Sequence, residues 1–234
     1  MEEPIEYFLR NKGFERDRIK DYIIGEKYVG IMHRNGQIGV CATLGTEVTD
    51  DLLSGQHPDT NNPSHRIILN AWFNAICNYQ QNYDDTIDIF DSIDFKKAGK
   101  IVMVGYFESL YQKFHRDSIE LDVFDIQKDS SILTRLDKFK ESVGSADTII
   151  LSGTTIFNNT FLDVIGKSSG TANIFLLGPS NILSEEMFRY RNIKIVFGSI
   201  FELNDYQLFD KIKAGKGTRG FLDNLRKVYI NSDF

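Results

Sequence analysis

From residue 100 onward the chain alternates short apolar runs with segments of helical length, and that rhythm admits few folds. The runs are Ile101 to Val104, Leu121 to Ile126, Thr148 to Leu151, Ile174 to Leu177, Ile193 to Phe197 and Val228 to Ile230. Helix-length stretches fall between them at residues 107–115, 131–142, 156–167, 181–190 and 203–213. Strands alternating with helices form βαβ units, whose crossovers are right-handed and whose parallel sheet is covered on both faces. This half is predicted to be a Rossmann-like, mostly parallel α/β layer.

Within it, residues 146–160, ADTIILSGTTIFNNT, carry the most information. A buried strand, Thr148 to Leu151, runs into a tight turn at Ser152-Gly153 and then into a helix start. Thr154 and Thr155 stand where hydroxyls can satisfy the orphan N–H groups of that helix or face a ligand. Asn158, Asn159 and Thr160 add polar side chains within the next turn. Gly105, Gly153 and Gly178 each end a predicted strand. If the second strand lies outside the first, the strand order reverses between the strands ending at Gly105 and Gly153. The crevice at such a reversal is the default ligand site of an open α/β sheet, an argument from fold alone.

The loops after Gly105 and Gly153 offer N–H groups at a positive helix end, suited to a carboxylate or phosphate. The plainer reading is that glycine makes the turn and the hydroxyls only cap. Gly178-Pro179-Ser180-Asn181 is a third such loop, in which Ser180 caps a following helix and the loop walls the same crevice. Arg219, in Gly215-Lys216-Gly217-Thr218-Arg219-Gly220, is a fork-shaped donor that can fold toward an anion. The expected ligand-binding set is therefore Gly105, Gly153, Thr154, Thr155, Asn158, Asn159, Gly178, Pro179, Ser180 and Arg219. The run 215–220 matches GxGxxG but follows a helical segment, and no glycine fingerprint follows the first strand. Asp125 at the end of the second strand then reads as a solvated strand end, and NAD and FAD are not expected.

The first half changes period. Residues 4–12 read as an amphipathic helix opened by Pro4. Residues 18–45 read as a small antiparallel meander, with Asn35-Gly36 as a type I′ hairpin turn. An irregular segment, 46–63, precedes a helix at 64–79 whose stripe is Ile68, Trp72, Ile76 and Tyr79. A polar connector at 80–98, containing Tyr83-Asp84-Asp85, places a domain boundary near residue 95, giving units 1–95 and 96–234.

A net charge of −6 and a pI near 5.3 argue against a nucleic-acid partner. No run approaches the roughly 18 apolar residues of a membrane span. The acidic start MEEPIEYFLRNKG is unlike a signal peptide, and the two cysteines, Cys41 and Cys77, are expected free in a reducing cytosol. A homo-oligomer is compatible with this composition. The candidate metal ligands His33, Cys41, His57, His65, Cys77 and His115 form no CxxC, HxxxH or HExxH arrangement.

Taken together, IVMVGYF, VFDIQ, ADTIILSGTTIFNNTFLDVI, IFLLGPSNIL and GKGTRGF resemble the Rossmann-like domain of the putative heavy-metal chelation family. DYIIGEKYVGIMHRNGQIGVCATLG and RIILNAWFNAICNY resemble the enolase N-terminal-like domain that precedes it there. The resemblance covers nearly the whole chain, most firmly residues 100–220. It implies binding of a heavy metal or a metal-bearing small molecule, for which the expected place is the cleft between the sheet edge and the first unit. Tyr106-Phe107 stands where a histidine or small residue often follows the first-strand glycine, which removes one ligand. Two readings follow: a binding protein for a metal, metal chelate or anionic metabolite, and an enzyme, a transferase or lyase, acting on a small anionic metabolite. Hydroxyls and amides hold transition metals poorly, so tight binding of a bare ion by the C-terminal loops is not expected. Gly153→Val is expected to block the approach of a ligand to the backbone.

Overall fold

The structure, a computed structural model, describes residues 1–81, 83, 88–126 and 130–232. Asp84 and Asp85 of the predicted connector lie outside the described residues. In chain order the first half contains α1 (Pro4–Lys12), β1 (Ile19–Ile24), β2 (Tyr28–His33), β3 (Ile38–Ala42), α2 (Asp51–Ser54), α3 (Pro63–Cys77) and α4 (Ile89–Ser92). The second half contains β4 (Ile101–Val104), α5 (Glu108–Arg116), β5 (Leu121–Phe124), α6 (Phe139–Gly144), β6 (Thr148–Ser152), α7 (Thr154–Phe157) and α8 (Phe161–Lys167). It ends with β7 (Asn173–Leu177), β8 (Ile193–Phe201), α9 (Tyr206–Lys213) and β9 (Leu225–Asn231).

Two sheets result: a three-stranded antiparallel sheet, β1-β2-β3, and a six-stranded sheet in the order β5-β4-β6-β7-β8-β9. Only the second half supplies the larger sheet. It is parallel except for β9, which returns antiparallel against β8 from Ile195↔Asn231 to Phe201↔Leu225. Alternate residues divide the core between its two faces. Val102, Ile149, Ile174 and Val196 join one cluster, and Met103, Ile150, Phe175 and Phe197 the other.

The small sheet is covered on both faces, which is why β2 and β3 are buried almost throughout. On one side α3 comes so close that a Cβ on Gly39 would lie 2.1 Å from the carbonyl oxygen of Ala71. On the other side α9, from the second half, covers Gly30 with Phe209 and Ile212. Asn62 caps α3 through Ser64 N–H (2.9 Å), and Pro63 fills its first turn. With neighbours on every side, 13 of the 15 residues of α3 are buried, including Ile68 and Trp72 of the expected stripe. Its core is continuous with that of the large sheet.

Several predicted elements differ in detail. The hairpin at Asn35-Gly36 forms, but Gly36 alone takes a positive φ (90°). Asn35 instead uses its side-chain oxygen to accept from Gln37 N–H at 3.1 Å, so the turn is not type I′. The helix predicted at 156–167 is two helices, broken where Asn159 turns to φ 65°. The helix predicted at 181–190 is a single 3-10 segment, Glu185–Arg189, and that at 131–142 begins only with the 3-10 turn Leu136–Lys138. Among the described residues no helix is long and apolar enough to cross a membrane.

Candidate functional site

The strand order reverses between β4 and β6, so the crevice opens above the ends of those strands. The two loops nearly touch there: Gly105 has φ 93°, and a Cβ on it would lie 2.5 Å from Cβ of Ser152. Only glycine meets both demands. Asp125 at the end of β5 accepts the Tyr106 N–H at 2.8 Å and so ties the first two loops together.

Two adjoining cavities occupy this crevice. The inner one, about 190 Å³, has an apolar floor of Val104, Phe124, Phe139 and Val164, with Thr154, Asp125 and Asp163, the last paired with Lys167, among its other walls. The outer one, about 420 Å³, is bounded by Glu6, Thr46, Thr60, Asn61, Arg66 and Asn159. Leu44, Ile126 and Asn158 line both. A larger open depression of about 900 Å³ lies at the other end of β4 and β5, beside Lys100 and Glu120. Ligands of such sheets bind beyond the carboxyl ends of the strands, so we place the candidate site in the crevice.

The polar residues of 152–160 are engaged largely with one another. Thr154 Oγ1 lies 2.9 Å from Ser152 Oγ, and Thr155 Oγ1 donates to the Ser152 carbonyl at 2.7 Å. Asn158 Oδ1 accepts from the Thr160 hydroxyl at 2.6 Å. Gly105, Thr154, Thr155 and Asn158 thus border the inner cavity, and Asn158 and Asn159 the outer one.

Gly153, Gly178, Pro179, Ser180 and Arg219 border neither cavity. Gly153 has an ordinary φ of −58° and is glycine because a Cβ would lie 2.4 Å from Asn181 Oδ1. A valine there would clash inside the protein before it met any ligand. Ser180 is 2% exposed; its Oγ accepts from Ala42 N–H at 3.0 Å and its carbonyl from Asn70 Nδ2 at 2.9 Å. It caps no helix, because none begins there; Ser184 takes that role for the 3-10 segment. Gly178 faces the Phe107 ring, and the Pro179 carbonyl accepts from Asn74 Nδ2 at 3.3 Å. Arg219 is exposed and pairs with Glu108 at 2.7 Å.

The loop 178–183 is held by residues that the sequence reading passed over. Asn70 and Asn74 on α3 and Asn78 just past its end, four residues apart, are all buried. Besides the bonds above, Asn78 Nδ2 donates to the carbonyls of Asn181 (3.1 Å) and Ser199 (3.2 Å), and its Oδ1 accepts from Leu183 N–H at 2.8 Å. Their signal was the spacing of four, which aligns side chains on one face of a helix.

Arg66 was also missed. It is 4% exposed and donates from Nε to the Phe157 carbonyl (2.6 Å), from Nη2 to Ile156 (2.8 Å) and from Nη1 to Thr60 (3.2 Å). It thereby closes the C-terminal end of α7, where a cation suits the helix dipole. Glu3 Oε2, buried and without a hydrogen bond among the described residues, lies 3.9 Å from Arg66 Nη2. Burial raises the Glu3 carboxyl above its ordinary value, more than Arg66 lowers it. The folded chain holds that proton more tightly than the unfolded one, so ionisation of Glu3 erodes stability as pH rises from the usual carboxylate range. Glu3→Gln is expected to raise the unfolding temperature at about pH 7 and to match wild type near pH 4. Melting curves across that range check it; an unchanged difference at both ends would discard this account.

The donor set does not fit a bare soft metal ion. His33 stacks on Trp72 (5.7 Å), and its Nδ1 accepts from Asn35 N–H. His65 is buried between Asp59 N–H and Asp51. Burial pushes the free Cys41 thiol up and the Cys77 thiol to about 12, away from the thiolate form that binds metals. His57 and His115 are exposed. Among the described residues no three His, Cys, Asp or Glu side chains gather as a metal site would need.

The fold is similar to solved structures. One, a protein of unknown function from Pyrococcus horikoshii, is 21% identical, covers 91% of this chain and 92% of its own, and superposes with a TM-score of 0.78. Another, of unknown function from Desulfitobacterium hafniense, is 17% identical, covers 97% and 96%, and has a TM-score of 0.72. No curated protein matches the chain. Both solved proteins are of the DUF364 family, and the sequence model of that family, described as putative heavy-metal chelation, matches residues 88–231, over half the chain, so this protein belongs to it.

Proposed function

We propose that this protein binds a small metal chelate in the crevice between the ends of β4 and β6 and the first half of the chain. The observation that carries this reading is the character of the walls. The inner cavity is mostly apolar; its two acidic residues are engaged, Asp125 with the Tyr106 N–H and Asp163 with Lys167, and the outer cavity carries Glu6. Arg66, the basic residue among these walls, gives its N–H groups to three carbonyls. Such walls suit a ligand with an apolar body and offer a free phosphate or carboxylate little compensation for lost hydration. Because no three metal ligands converge among the described residues, the ligand brings its own donors. The family description supports a metal-bearing ligand over an organic one.

Titration calorimetry tests this with zinc–bipyridine, zinc chloride and inorganic phosphate. Binding is expected for the chelate and not for phosphate, with zinc alone at least about ten-fold weaker. Thr154→Phe fills the inner cavity and is expected to weaken the chelate by about ten-fold or more, whereas Cys77→Ser should leave it unchanged. Phosphate binding lost in Thr154→Phe would instead favour the enzyme acting on an anionic metabolite.

A further inference from the structure

We infer that Leu44 is a specificity-determining residue, which admits chelates carrying an apolar arm into the inner cavity and leaves the metal-bearing end in the outer one. This rests on the chelate-binding reading above. Leu44 is one of three residues that border both cavities, and it comes from the first half of the chain, opposite Asn158. The compartments it divides differ in chemistry: Val104, Phe124 and Phe139 on one side, Thr46, Thr60 and Asn61 on the other.

The position of its side chain is imposed. Leu44 has φ 51°, in the left-handed region that non-glycine residues seldom adopt, and Gly45 follows at φ 74°. Thr43 fixes this turn: its Oγ1 donates to the Glu26 carbonyl (2.6 Å) and accepts from Gly45 N–H (3.3 Å), while its carbonyl accepts from Thr46 N–H (3.0 Å). A leucine held in this conformation is a poor choice for a turn, where glycine or asparagine would be less strained. Its presence there is explained if its side chain, half-buried against the core, serves the cavities rather than the turn. An apolar arm passing beside Leu44 gains contact with its methyl groups, and a polar chelator does not.

Two complexes of equal charge test this, zinc–bipyridine with an apolar arm and zinc–ethylenediamine without one. Wild type is expected to prefer zinc–bipyridine by about ten-fold. Leu44→Asn keeps the size and tolerates the left-handed backbone, so its unfolding temperature should stay within a few degrees of wild type. Its preference between the complexes should fall to about two-fold or less, and Leu44→Gly should behave alike. A preference kept in both variants, or both complexes weakened equally, would overturn the inference. Equal binding of the two complexes by wild type would overturn it while leaving chelate binding standing. Binding of neither would remove the chelate reading and this inference together.

Discussion

Gly39→Ala is expected to destabilise the protein by about 4 kcal/mol or more, out of the 5–15 kcal/mol typical of folded domains. The added Cβ would lie 2.1 Å from the Ala71 carbonyl oxygen and 2.2 Å from the Ala75 nitrogen, both backbone atoms of α3. No rotamer change relieves such a contact; strand and helix must separate, which opens the core they share. Gly45→Ala is the control. It also adds a methyl group and carries φ 74°, but nothing lies within 4 Å, so its cost should be near 1 kcal/mol. Urea unfolding of the two variants decides the matter. A loss below about 1 kcal/mol for Gly39→Ala would show that α3 does not lie this close to β3.

Asn78→Ala should have the next largest effect, about 3 kcal/mol. The side chain serves three buried backbone groups, the carbonyls of Asn181 and Ser199 and the N–H of Leu183, and alanine leaves all of them without it. Each deserted buried group costs about 1–3 kcal/mol unless water reaches it. The loss is local as well as global, because this residue holds the loop after β7. Hydrogen exchange at the Leu183 amide should therefore accelerate by more than the change in overall stability accounts for. Uniform acceleration throughout the sheet would contradict the local role, and a denaturation loss under 1 kcal/mol would contradict the energetic one.

The contrast between these residues and the expected ones shows what the sequence made legible. Strands β4 and β6 were readable because runs such as Ile101 to Val104 are apolar on both faces, whereas the order reversal at Gly105 followed only from the usual strand order of such sheets. Thr154 and Asn158 could be placed near that reversal by chain proximity alone. Ser180 could not, because its fate depends on a partner distant in sequence, the Ala42 N–H. The spacing of Asn70, Asn74 and Asn78 was visible, but asparagine suits solvent as well as a buried seam, and only the position of the 178–183 loop distinguishes them. The division of residues 154–167 into two helices was hidden for a local reason. Asn158 accepts from Thr160 while Asn159 takes φ 65°, a pair of side-chain and backbone choices that competes closely with continued helix. The reversed direction of β9 has no period of its own to announce it.

The position of α9 on the outer face of the small sheet has a consequence for how the chain is made. A ribosome releases β1, β2 and β3 long before Phe209 and Ile212, which cover Gly30 and lie far later in the chain. During that interval the nascent sheet has one face closed by α3 and the other bare, a surface that chaperones bind and that sticks to its like. Closure of the small sheet therefore waits for α9. A ribosome stalled before α9 leaves that face exposed, so α9 determines whether β1, β2 and β3 survive in the cell.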